Sequence, residues 1–325
     1  MPQIPTSITT VDHFEAIDAG KRPLHLCIGM FDGVHRGHQQ VVGAALKAAQ
    51  MDGGLVAILT FWPHPSHVLR LDQAVEMIMG PEEKSIALQA LGADYVIQYP
   101  FDLELSKIEV EEFVPWLNQG LPSLKALYVG ENFFFGHGRR GDATKLREEG
   151  HRCGLQVTIV PHAEEYGQAI SSTRIRELLR NGCMEQAQLL LGRPYIAVGK
   201  VKPGQQLGTK IGFPTLNLAW APELRPRYGV YAVRVHSQGK IETLPGVANY
   251  GLRPTVNRSK EPQLEVHLLL SEGQTTNLKA EAQLQIDWLH FIRPEKKFAS
   301  VDELRLQIAK DKAYAETFFV EKASV

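Results

Sequence analysis

A change of pattern near Gly192 constrains the fold of this chain more than any other feature of the sequence. Before Gly192, short apolar runs alternate with helical stretches; after it, short β-rich segments are separated by Gly, Pro and Asn. The first pattern predicts a parallel sheet built from βαβ units, and the second predicts a small antiparallel barrel. The chain has 325 residues, enough for two domains of about 100–200 residues each. We therefore predict two domains, 1–185 and 186–325.

The first half divides into five predicted strands and five predicted helices. Strands are predicted over Leu24–Ile28, Leu55–Phe61, Tyr95–Tyr99, Ala126–Gly130 and Leu155–Val160. Helices are predicted from about Val34 to Met51, over Pro81–Leu91 and Glu111–Asn118, from Ser171 or Ser172 to Arg180, and over Met184–Leu191. In such α/β folds ligands bind beyond the carboxyl ends of the parallel strands. We therefore look for a site where polar motifs follow these strands.

The second half predicts an antiparallel barrel closed by one helix. Strands are predicted over Tyr195–Val201, Val230–Val235, Leu264–Leu270 and Ala282–Phe291, with a hairpin turn at Ser237-Gln238-Gly239. Ser300 and Glu303 have the spacing of a capping box, which predicts the start of the last helix. Leu304, Ile308 and Tyr314 predict the apolar stripe of that helix.

Composition argues against several classes of function. The formal net charge is −1, so no global attraction to nucleic acid or anionic lipid is expected. Three widely spaced cysteines, Cys27, Cys153 and Cys183, form no Cys-x-x-Cys pair and predict neither a disulfide framework nor structural zinc. The beginning of the sequence has no signal-peptide pattern, and no apolar run is long enough to span a bilayer. We expect reduced thiols in a cytoplasmic protein.

The first motif with chemical content is Gly29-Met30-Phe31-Asp32-Gly33-Val34-His35-Arg36-Gly37-His38, where a predicted strand meets a helix. His35 and His38 are three residues apart and so share one helical face. The first turn of a helix favours an anion, and Gly33 and Gly37 leave room for a phosphate near the backbone. Surface histidines, or a metal-binding pair, are the alternative interpretations of an isolated His-x-x-His.

A second motif, Ile170-Ser171-Ser172-Thr173-Arg174-Ile175-Arg176, begins a predicted helix with three hydroxyls and two arginines. A helix start with hydroxyl and guanidinium groups favours anion binding. On its own this segment would be interpreted as a well-capped helix with a basic face. Together with the histidine pair it predicts a site for a polyphosphate.

Two aromatic segments narrow the interpretation. Thr60-Phe61-Trp62-Pro63-His64-Pro65 follows the second predicted strand, and Val129-Gly130-Glu131-Asn132-Phe133-Phe134-Phe135-Gly136 follows a later one and precedes the basic pair Arg139-Arg140. Aromatic side chains beside a Gly-rich basic loop suit a flat ring that carries a phosphate. Core packing is the alternative for the three phenylalanines, and Phe134 is the one that we expect in the core.

Over roughly residues 15–185, these motifs resemble the adenylyltransferase module of the bacterial bifunctional riboflavin kinase/FAD synthetase family. The resemblance implies a Rossmann-like nucleotidylyltransferase domain with a parallel sheet. It implies catalytic roles for His35, His38 and Arg174, with FMN bound near Phe61, Pro63, His64, Asn132 and Phe133. The remaining implied contacts are to ATP: Gly29, Phe31, Asp32, Gly33, Ser171, Ser172, Thr173 and Arg176.

The second half resembles the riboflavin kinase module of the same family. Gly199-x-Val201-x-x-Gly204-x-x-x-Gly208-x-x-x-Gly212-Phe213-Pro214-Thr215-Leu216-Asn217 carries this resemblance, together with Gly246–Gly251 and Leu264–Leu268. It implies a riboflavin-kinase-type β-barrel with a terminal helix, and ATP near Gly204, Gly208, Lys210 and Pro214. It further implies Mg²⁺ held by Thr215 and Asn217, whose oxygen atoms suit a hard cation, and Glu265 as the general base.

The chain departs from the kinase pattern at Pro203, at Thr209 and at Leu270 or Ser271, and Thr275–Leu278 replaces a usual Leu-Tyr-Gly. A lysine replaces a bidentate arginine poorly, so Lys210 predicts weaker ATP binding by about one to two decades. The leading interpretation is a bifunctional enzyme acting on riboflavin, FMN and ATP. The alternatives are an FAD synthetase with a degenerate flavin-binding or structural barrel, and a flavin-sensing protein without either activity. Oligomerisation is compatible with each.

Overall fold

The computed structural model describes residues 9–203, 211–237, 243–252, 262–270 and 281–323. The chain forms two units, Met1–Arg174 and Ile175–Val325, here called the N-terminal and the C-terminal unit. The predicted division at residue 185 lies inside the second of these units. As the division between functional modules, it stays a prediction.

The alternating pattern of the first half folds into a six-stranded sheet in which all neighbouring strands are parallel. Its strands follow the order β1-β4-β3-β2-β5-β8. They are β1 Thr9–Val11, β2 Leu24–Ile28, β3 Leu55–Trp62, β4 Tyr95–Pro100, β5 Leu124–Gly130 and β8 Gln156–Val160. Two short antiparallel ribbons accompany the sheet: β6 Phe134–Phe135 with β7 Gly141–Asp142, and β9 Glu164–Glu165 with β10 Gln168–Ala169.

Helices connect these strands, as parallel pairing requires. They are α1 Arg36–Asp52, α2 Ser66–Leu69, α3 Pro81–Gln89, α4 Val110–Gly120, α5 Ala143–Arg152 and α6 Ser172–Asn181, followed by α7 Met184–Leu191 and the terminal helix α8 Val301–Ala323. α6 begins in the N-terminal unit and ends in the C-terminal unit. The strand β2 is buried over its whole length, because helices cover both faces of a parallel sheet.

The strand order defines where a ligand can bind in the N-terminal unit. From β2 the chain adds β3 and β4 on one side, and then returns to place β5 on the other side of β2. In doubly wound sheets such a reversal opens a crevice beyond the carboxyl ends of the two central strands. The loops after β2, β3 and β5 meet at this edge, and they carry the motifs around Gly29, Phe61 and Asn132.

The second half forms a closed barrel in the order β11-β12-β15-β14-β13-β16. Its strands, antiparallel throughout, are β11 Tyr195–Lys202, β12 Leu216–Ala219, β13 Gly229–Ser237, β14 Thr243–Gly251, β15 Gln263–Leu268 and β16 Gln283–Pro294. The interior is filled by large rings in mutual contact, which leaves a packed core rather than a channel. These rings belong to Tyr195, Trp220, Tyr231, Tyr250 and Trp288.

The predicted elements are confirmed with small shifts of their ends. The elements that were not predicted are α5, β12 and β14, together with the short elements β1, α2, β6, β7, β9 and β10. The hairpin that joins β13 and β14 is confirmed, although Gln238 and Gly239 of the predicted turn lie outside the described residues.

At the start of α8, Ser300 Oγ accepts a hydrogen bond from the backbone N–H of Glu303, as the capping box predicts. The Glu303 carboxylate accepts from the N–H of Ala299 rather than Ser300. The predicted apolar stripe is wrong at Tyr314, which is 49% exposed, whereas Ala315 is fully buried. Tyr314 stays at the surface because its hydroxyl hydrogen-bonds His290 Nε2 at 3.0 Å.

Candidate active sites

A strained turn follows β2. Phe31 and Val34 have φ values of 48° and 45°, and Gly33 has a φ of 81°. The Val34 N–H closes the turn on the Phe31 carbonyl at 3.1 Å, and only the glycine adopts such a φ without steric cost. The Asp32 carboxylate is buried and accepts a hydrogen bond from the Ile78 N–H at 2.9 Å. Non-glycine residues in this region of φ concentrate at functional sites.

The two histidines of the motif lie together, as their spacing predicts. His35 is the N-cap of α1, and its Nδ1 accepts a hydrogen bond from the His38 N–H at 3.4 Å. The imidazole rings are stacked, with their centroids 3.6 Å apart. A side chain on Gly37 would approach the His35 ring to 3.2 Å, so this glycine is needed for the placement of the ring as well as for access to the backbone.

Burial keeps both imidazoles neutral in the free protein. It lowers the pKa of His35 to about 4. Burial also lowers the pKa of His38 well below its ordinary value, and the nearby charges of His35 and Lys84 lower it further. His38 as a residue is partly exposed, but its Nδ1 is fully buried and has no hydrogen-bond partner among the described residues. A negatively charged ligand would offset the cost of protonating these rings.

The hydroxyl motif is joined to the strained turn by a direct hydrogen bond. Ser172 Oγ donates to the Asp32 carbonyl at 2.9 Å. Ser171 caps α6, because its Oγ accepts from the N–H of Arg174 at 3.3 Å. Thr173 is exposed in the first turn of α6, and Arg176 is partly buried on the part of α6 that belongs to the C-terminal unit. The structure therefore brings the start of α6 to the predicted phosphate site.

The β9–β10 hairpin contacts the side chains of two arginines, one from each of the two predicted phosphate-binding motifs. The side chain of Arg36 forms an ion pair with Glu165. One guanidinium nitrogen of Arg174 donates to the carbonyls of Glu165 and Gln168, each at 3.4 Å. These two bonds are long for their type, so a phosphate could take the guanidinium from the hairpin at little cost.

The predicted flavin segments follow the strands on either side of β2. Phe61 is partly buried at the end of β3, and Trp62 and Pro63 are joined by a cis peptide bond. His64 Nδ1 lies 2.8 Å from Ser66 Oγ and accepts from the Ser66 N–H at 3.1 Å, which fixes the ring at the start of α2.

After β5, Asn132 is exposed and Phe133 is partly buried against the core. The expectation that Phe134 belongs to the core is wrong: it is 48% exposed, whereas Phe135 is 5% exposed. β6 has only these two residues, whose side chains point to opposite faces, and the inner face takes Phe135. Instead, the guanidinium carbon of Arg139 lies over the Phe134 ring, 4.9 Å from the ring centroid.

In the barrel, the register of three strands aligns the predicted kinase residues. Glu265 of β15 is the direct partner of Asn217 on β12 and of Asn249 on β14. Leu264 and Val266, on either side of Glu265, are fully buried, so the Asn217–Glu265–Asn249 row lies on the other face of the strands. A carboxylate therefore stands between two side-chain amides on the outside of the barrel.

The segment before β12 is held by β15. His267 Nδ1 donates to the Pro214 carbonyl at 2.9 Å, and its ring contacts that of Phe213. Burial lowers the pKa of His267, which keeps the ring neutral near neutral pH. Thr215 follows, partly buried, directly before β12. Gly204, Gly208 and Lys210 lie outside the described residues, as does Thr209, whereas Pro203 follows the end of β11.

The donor set of the barrel fits a hard cation. Thr215 and Asn217 offer a hydroxyl and an amide oxygen beside the Glu265 carboxylate, and Mg²⁺ prefers oxygen ligands completed by phosphate and water. Over the described part of the chain, no cluster of three His, Cys, Asp or Glu residues could hold a metal ion by itself. The chain's own ligands thus fit a cation that arrives with a nucleotide.

Comparison with known proteins assigns the family. A family model described as FAD synthetase matches residues 18–174, and one described as riboflavin kinase matches residues 191–319. The bifunctional riboflavin kinase/FMN adenylyltransferase of Escherichia coli (strain K12) is 38% identical over 294 residues, covering 90% of this chain and 92% of that protein. The chain belongs to the bifunctional riboflavin kinase/FMN adenylyltransferase family.

A second relative carries the same description, and one solved structure matches nearly the whole chain. The family's Bacillus subtilis (strain 168) protein is 34% identical, covering 90% of this chain and 92% of its own length. A crystal structure described as a macrolide-efflux protein from Streptococcus pneumoniae matches with a TM-score of 0.81 and 27% identity, covering 95% of this chain and 98% of that one. Within the described ranges, no helix combines the length and apolar character needed to cross a membrane.

Sequence reasoning missed several residues at these sites. It assigned no role to Lys84 or Glu165, which contact the motifs from elsewhere in the chain, or to His267. Lys84 carried no signal, because a lysine on a predicted helix is normally exposed. His267 lay inside a quoted motif, and its position two residues from Glu265 was the one signal available.

Proposed function

We propose that this chain makes FAD in two steps. The barrel transfers the γ-phosphoryl group of ATP to riboflavin, giving FMN and ADP. The N-terminal unit then transfers AMP from a second ATP to FMN, giving FAD and pyrophosphate. Both family models match this one chain, over separate residues, so an FAD synthetase with a degenerate barrel is not favoured. We assign the adenylyltransferase to residues 1–185 and the kinase to residues 186–325.

One observation carries the proposal for the adenylyltransferase: the stacked His35–His38 pair at the start of α1, beyond the end of the central strand β2. In adenylyl transfer, an oxygen of the FMN phosphate attacks the α-phosphorus of ATP as the bond to the β-phosphate oxygen breaks. Charge builds up on the α-phosphate oxygens and on the leaving pyrophosphate. Imidazole N–H donors held in place before the reaction stabilise that charge, and one such donor is typically worth about 10²–10³ in rate.

The remaining ATP contacts surround this pair. Backbone at Gly29, Phe31, Asp32 and Gly33 forms the turn under the phosphates, and the start of α6 brings Ser171, Ser172 and Thr173 to it. Arg174 leaves the carbonyls of the β9–β10 hairpin to bind phosphate oxygen, and Arg176 contributes a second guanidinium. Donors at a helix start suit this task, because the first N–H groups of a helix have no partner within it.

Flavin binding in the N-terminal unit is assigned to the loops after β3 and β5. Phe61 and Phe133 supply apolar surface for the ring system, and Pro63, His64 and Asn132 supply shape and polar contacts. These loops flank the turn after β2. A flavin held between them would present its phosphate to the histidine pair.

In the barrel, Glu265 acts as the general base that takes the proton of the ribityl 5′-hydroxyl as that oxygen attacks the γ-phosphorus. The carboxylate is fixed between Asn217 and Asn249 by the register of the sheet. Pro214 contacts the nucleotide, and His267 positions this proline through its carbonyl. Gly204, Gly208 and Lys210 complete the predicted nucleotide contacts.

Mg²⁺ is the cation that we assign to Thr215 and Asn217. When bound with ATP, it supplies positive charge that neutralises the phosphate oxygens. All three cysteines are unpaired thiols, which supports a cytoplasmic location for the enzyme. Riboflavin, FMN and ATP are the proposed small-molecule partners, without nucleic acid or membrane.

Incubation of the purified protein with Mg²⁺ and ATP, and with either riboflavin or FMN, tests the proposal. Chromatography of the flavins should show FAD from both substrates. FAD from FMN alone would remove the kinase assignment, and the absence of FAD from FMN would refute the adenylyltransferase.

A further inference from the structure

Lys84 lies on α3, far in sequence from every motif, and its side chain is fully buried. A buried lysine is rare, because taking an ammonium group out of water costs free energy that a methionine of similar size would not cost. The residue therefore calls for an explanation other than packing.

The ammonium group lies beneath the strained turn after β2. Lys84 Nζ is 3.4 Å from the Met30 carbonyl and 3.1 Å from Thr60 Oγ1, and the Thr60 hydroxyl donates to the same Met30 carbonyl at 3.0 Å. The Trp62 ring lies over the ammonium, with its centroid 5.7 Å away. Two donors from neighbouring elements thus fix the carbonyl directly before Phe31, the first residue of the turn with a positive φ.

The charge of Lys84 interacts with one titratable group within that turn and with another on α1. Asp32 is the acidic group whose field favours the charged ammonium, and His38 is the titratable group on α1 that the ammonium disfavours as a cation. From β3, the Thr60 hydroxyl and the Trp62 ring contact Lys84. A fixed positive charge near His38 adds to the attraction for phosphate at this site.

We infer that Lys84 is a positioning residue for adenylyl transfer, which anchors the Met30–Val34 turn and places a buried positive charge near His38. The inference rests on the proposed adenylyltransferase function of the N-terminal unit. Lys84 acts through the turn and the histidines, and does not itself touch the reacting atoms.

Lys84→Met keeps the volume of the side chain and removes both its charge and its donor. We expect kcat for FAD formation from FMN to fall ~10- to 100-fold, with a smaller change in the KM for ATP. Riboflavin phosphorylation by the same preparation should stay within about twofold, since the kinase is assigned to other residues. The melting temperature should change little, because the lost contacts with Met30 and Thr60 are offset by the absence of a buried ammonium group.

A residue that only supports packing would behave differently. For that role, Lys84→Met would lower the melting temperature along with the rate. Lys84→Gln keeps a polar side chain with an N–H donor, one bond shorter than lysine, but has no charge; we expect it to lose most of the same rate. Lys107→Met is the matched control at an exposed lysine, and should change neither rate nor melting temperature.

The dependence of kcat on pH in the unsubstituted protein is a further test. It does not depend on whether a substituted protein folds. Burial lowers the pKa of Lys84 to about 8. The kcat for FAD formation should therefore decline as the pH rises through about 8, with no matching decline in riboflavin phosphorylation. The Lys84→Met profile should lack this step.

The outcomes separate the two levels of the proposal. If the unsubstituted protein forms no FAD from FMN, the proposed function itself is refuted. If it forms FAD and Lys84→Met or Lys84→Gln forms FAD at an unchanged rate, only the inference about Lys84 is overturned. A melting temperature that falls together with the rate in both variants, with no step near pH 8 in the unsubstituted protein, would also overturn it.

Discussion

The imidazole rings of His35 and His38 are stacked, with centroids 3.6 Å apart and ring planes inclined by 15°. Two imidazolium cations would repel each other strongly at this separation. The arrangement is stable because burial lowers both pKa values, so both rings are neutral until a ligand brings negative charge. The same pair that is neutral in the free protein is thereby suited to bind the phosphates of ATP.

The lowered pKa of His35 predicts acid sensitivity of the N-terminal unit. Unfolded histidine takes up a proton below about pH 6.5, whereas folded His35 does so only below about pH 4. Folding stability is therefore lost as the pH falls from about 6.5 to about 4, by about 2 kcal/mol for this group by pH 5. By calorimetry, the His35→Gln protein should lose about 4–8 °C less than the unsubstituted protein between pH 7 and pH 5. His151→Gln, at an exposed histidine, should behave like the unsubstituted protein; equal losses in all three would contradict the account.

Arg174 should not tolerate replacement by lysine. In the free protein its guanidinium bonds two carbonyls of the β9–β10 hairpin, and in the complex we assign it to phosphate oxygen. A lysine lacks the planar fork for bidentate contacts, so Arg174→Lys should lower kcat/KM for FAD formation by ~10- to 100-fold. Steady-state kinetics with varied ATP measures this, with Arg147→Lys at an exposed position of α5 as the control. A loss of less than about twofold would remove Arg174 from the phosphate site.

Asn132 offers a test of flavin binding without a cost in folding, because its side chain is exposed. Asn132→Ala should raise the KM for FMN about 2- to 12-fold, the equivalent of one hydrogen bond of about 0.5–1.5 kcal/mol. The KM for riboflavin in the kinase reaction should not change. Equal increases in both constants, or none in either, would show that the loop after β5 does not hold the flavin of the second reaction.

The ion pair between Arg293 and Asp311 should be decisive for the stability of the barrel. Both carboxylate oxygens accept from the guanidinium, at 2.9 and 2.7 Å, and Asp311 is 4% exposed. Removal of one partner of a buried pair costs about 3–5 kcal/mol, so Asp311→Ala should destabilise the C-terminal unit by that amount. Glu316→Ala, which breaks a more exposed pair with Lys312, should cost less than about 1 kcal/mol. Similar melting temperatures for the two variants, by calorimetry, would show that the buried pair does not anchor α8.

The sequence predicted most of the architecture, because the strongest elements carry their own pattern. The strand Leu24–Ile28 is buried throughout and apolar apart from His25, and its ends match the prediction. The elements that were missed have weak patterns: β14 contains Pro245 and Gly246, and α5 is mostly charged and contains Gly150. Pairing with neighbouring strands and packing against the core stabilise these elements. The local sequence pattern does not reveal such contacts.

The residues of the candidate sites also differ in how well the sequence predicted their positions. The spacing of His35 and His38 was enough to predict that their rings meet, although His35 lies at the N-cap of α1 rather than within the helix. Two-residue β6 gives no period from which to decide whether Phe134 or Phe135 faces the core. Lys84 reaches the site from α3, and a contact between distant segments has no signature in a single sequence.

The central claim is that one chain carries two separate active sites, and the products of two variants test it most directly. Each variant is incubated with Mg²⁺ and ATP, and with riboflavin or FMN, and the flavins are separated by chromatography. The His38→Ala protein should convert riboflavin to FMN and form no FAD, whereas the Glu265→Ala protein should leave riboflavin unchanged and convert FMN to FAD. Loss of both products in either variant, or FAD formed by the His38→Ala protein at the rate of the unsubstituted protein, would contradict the claim.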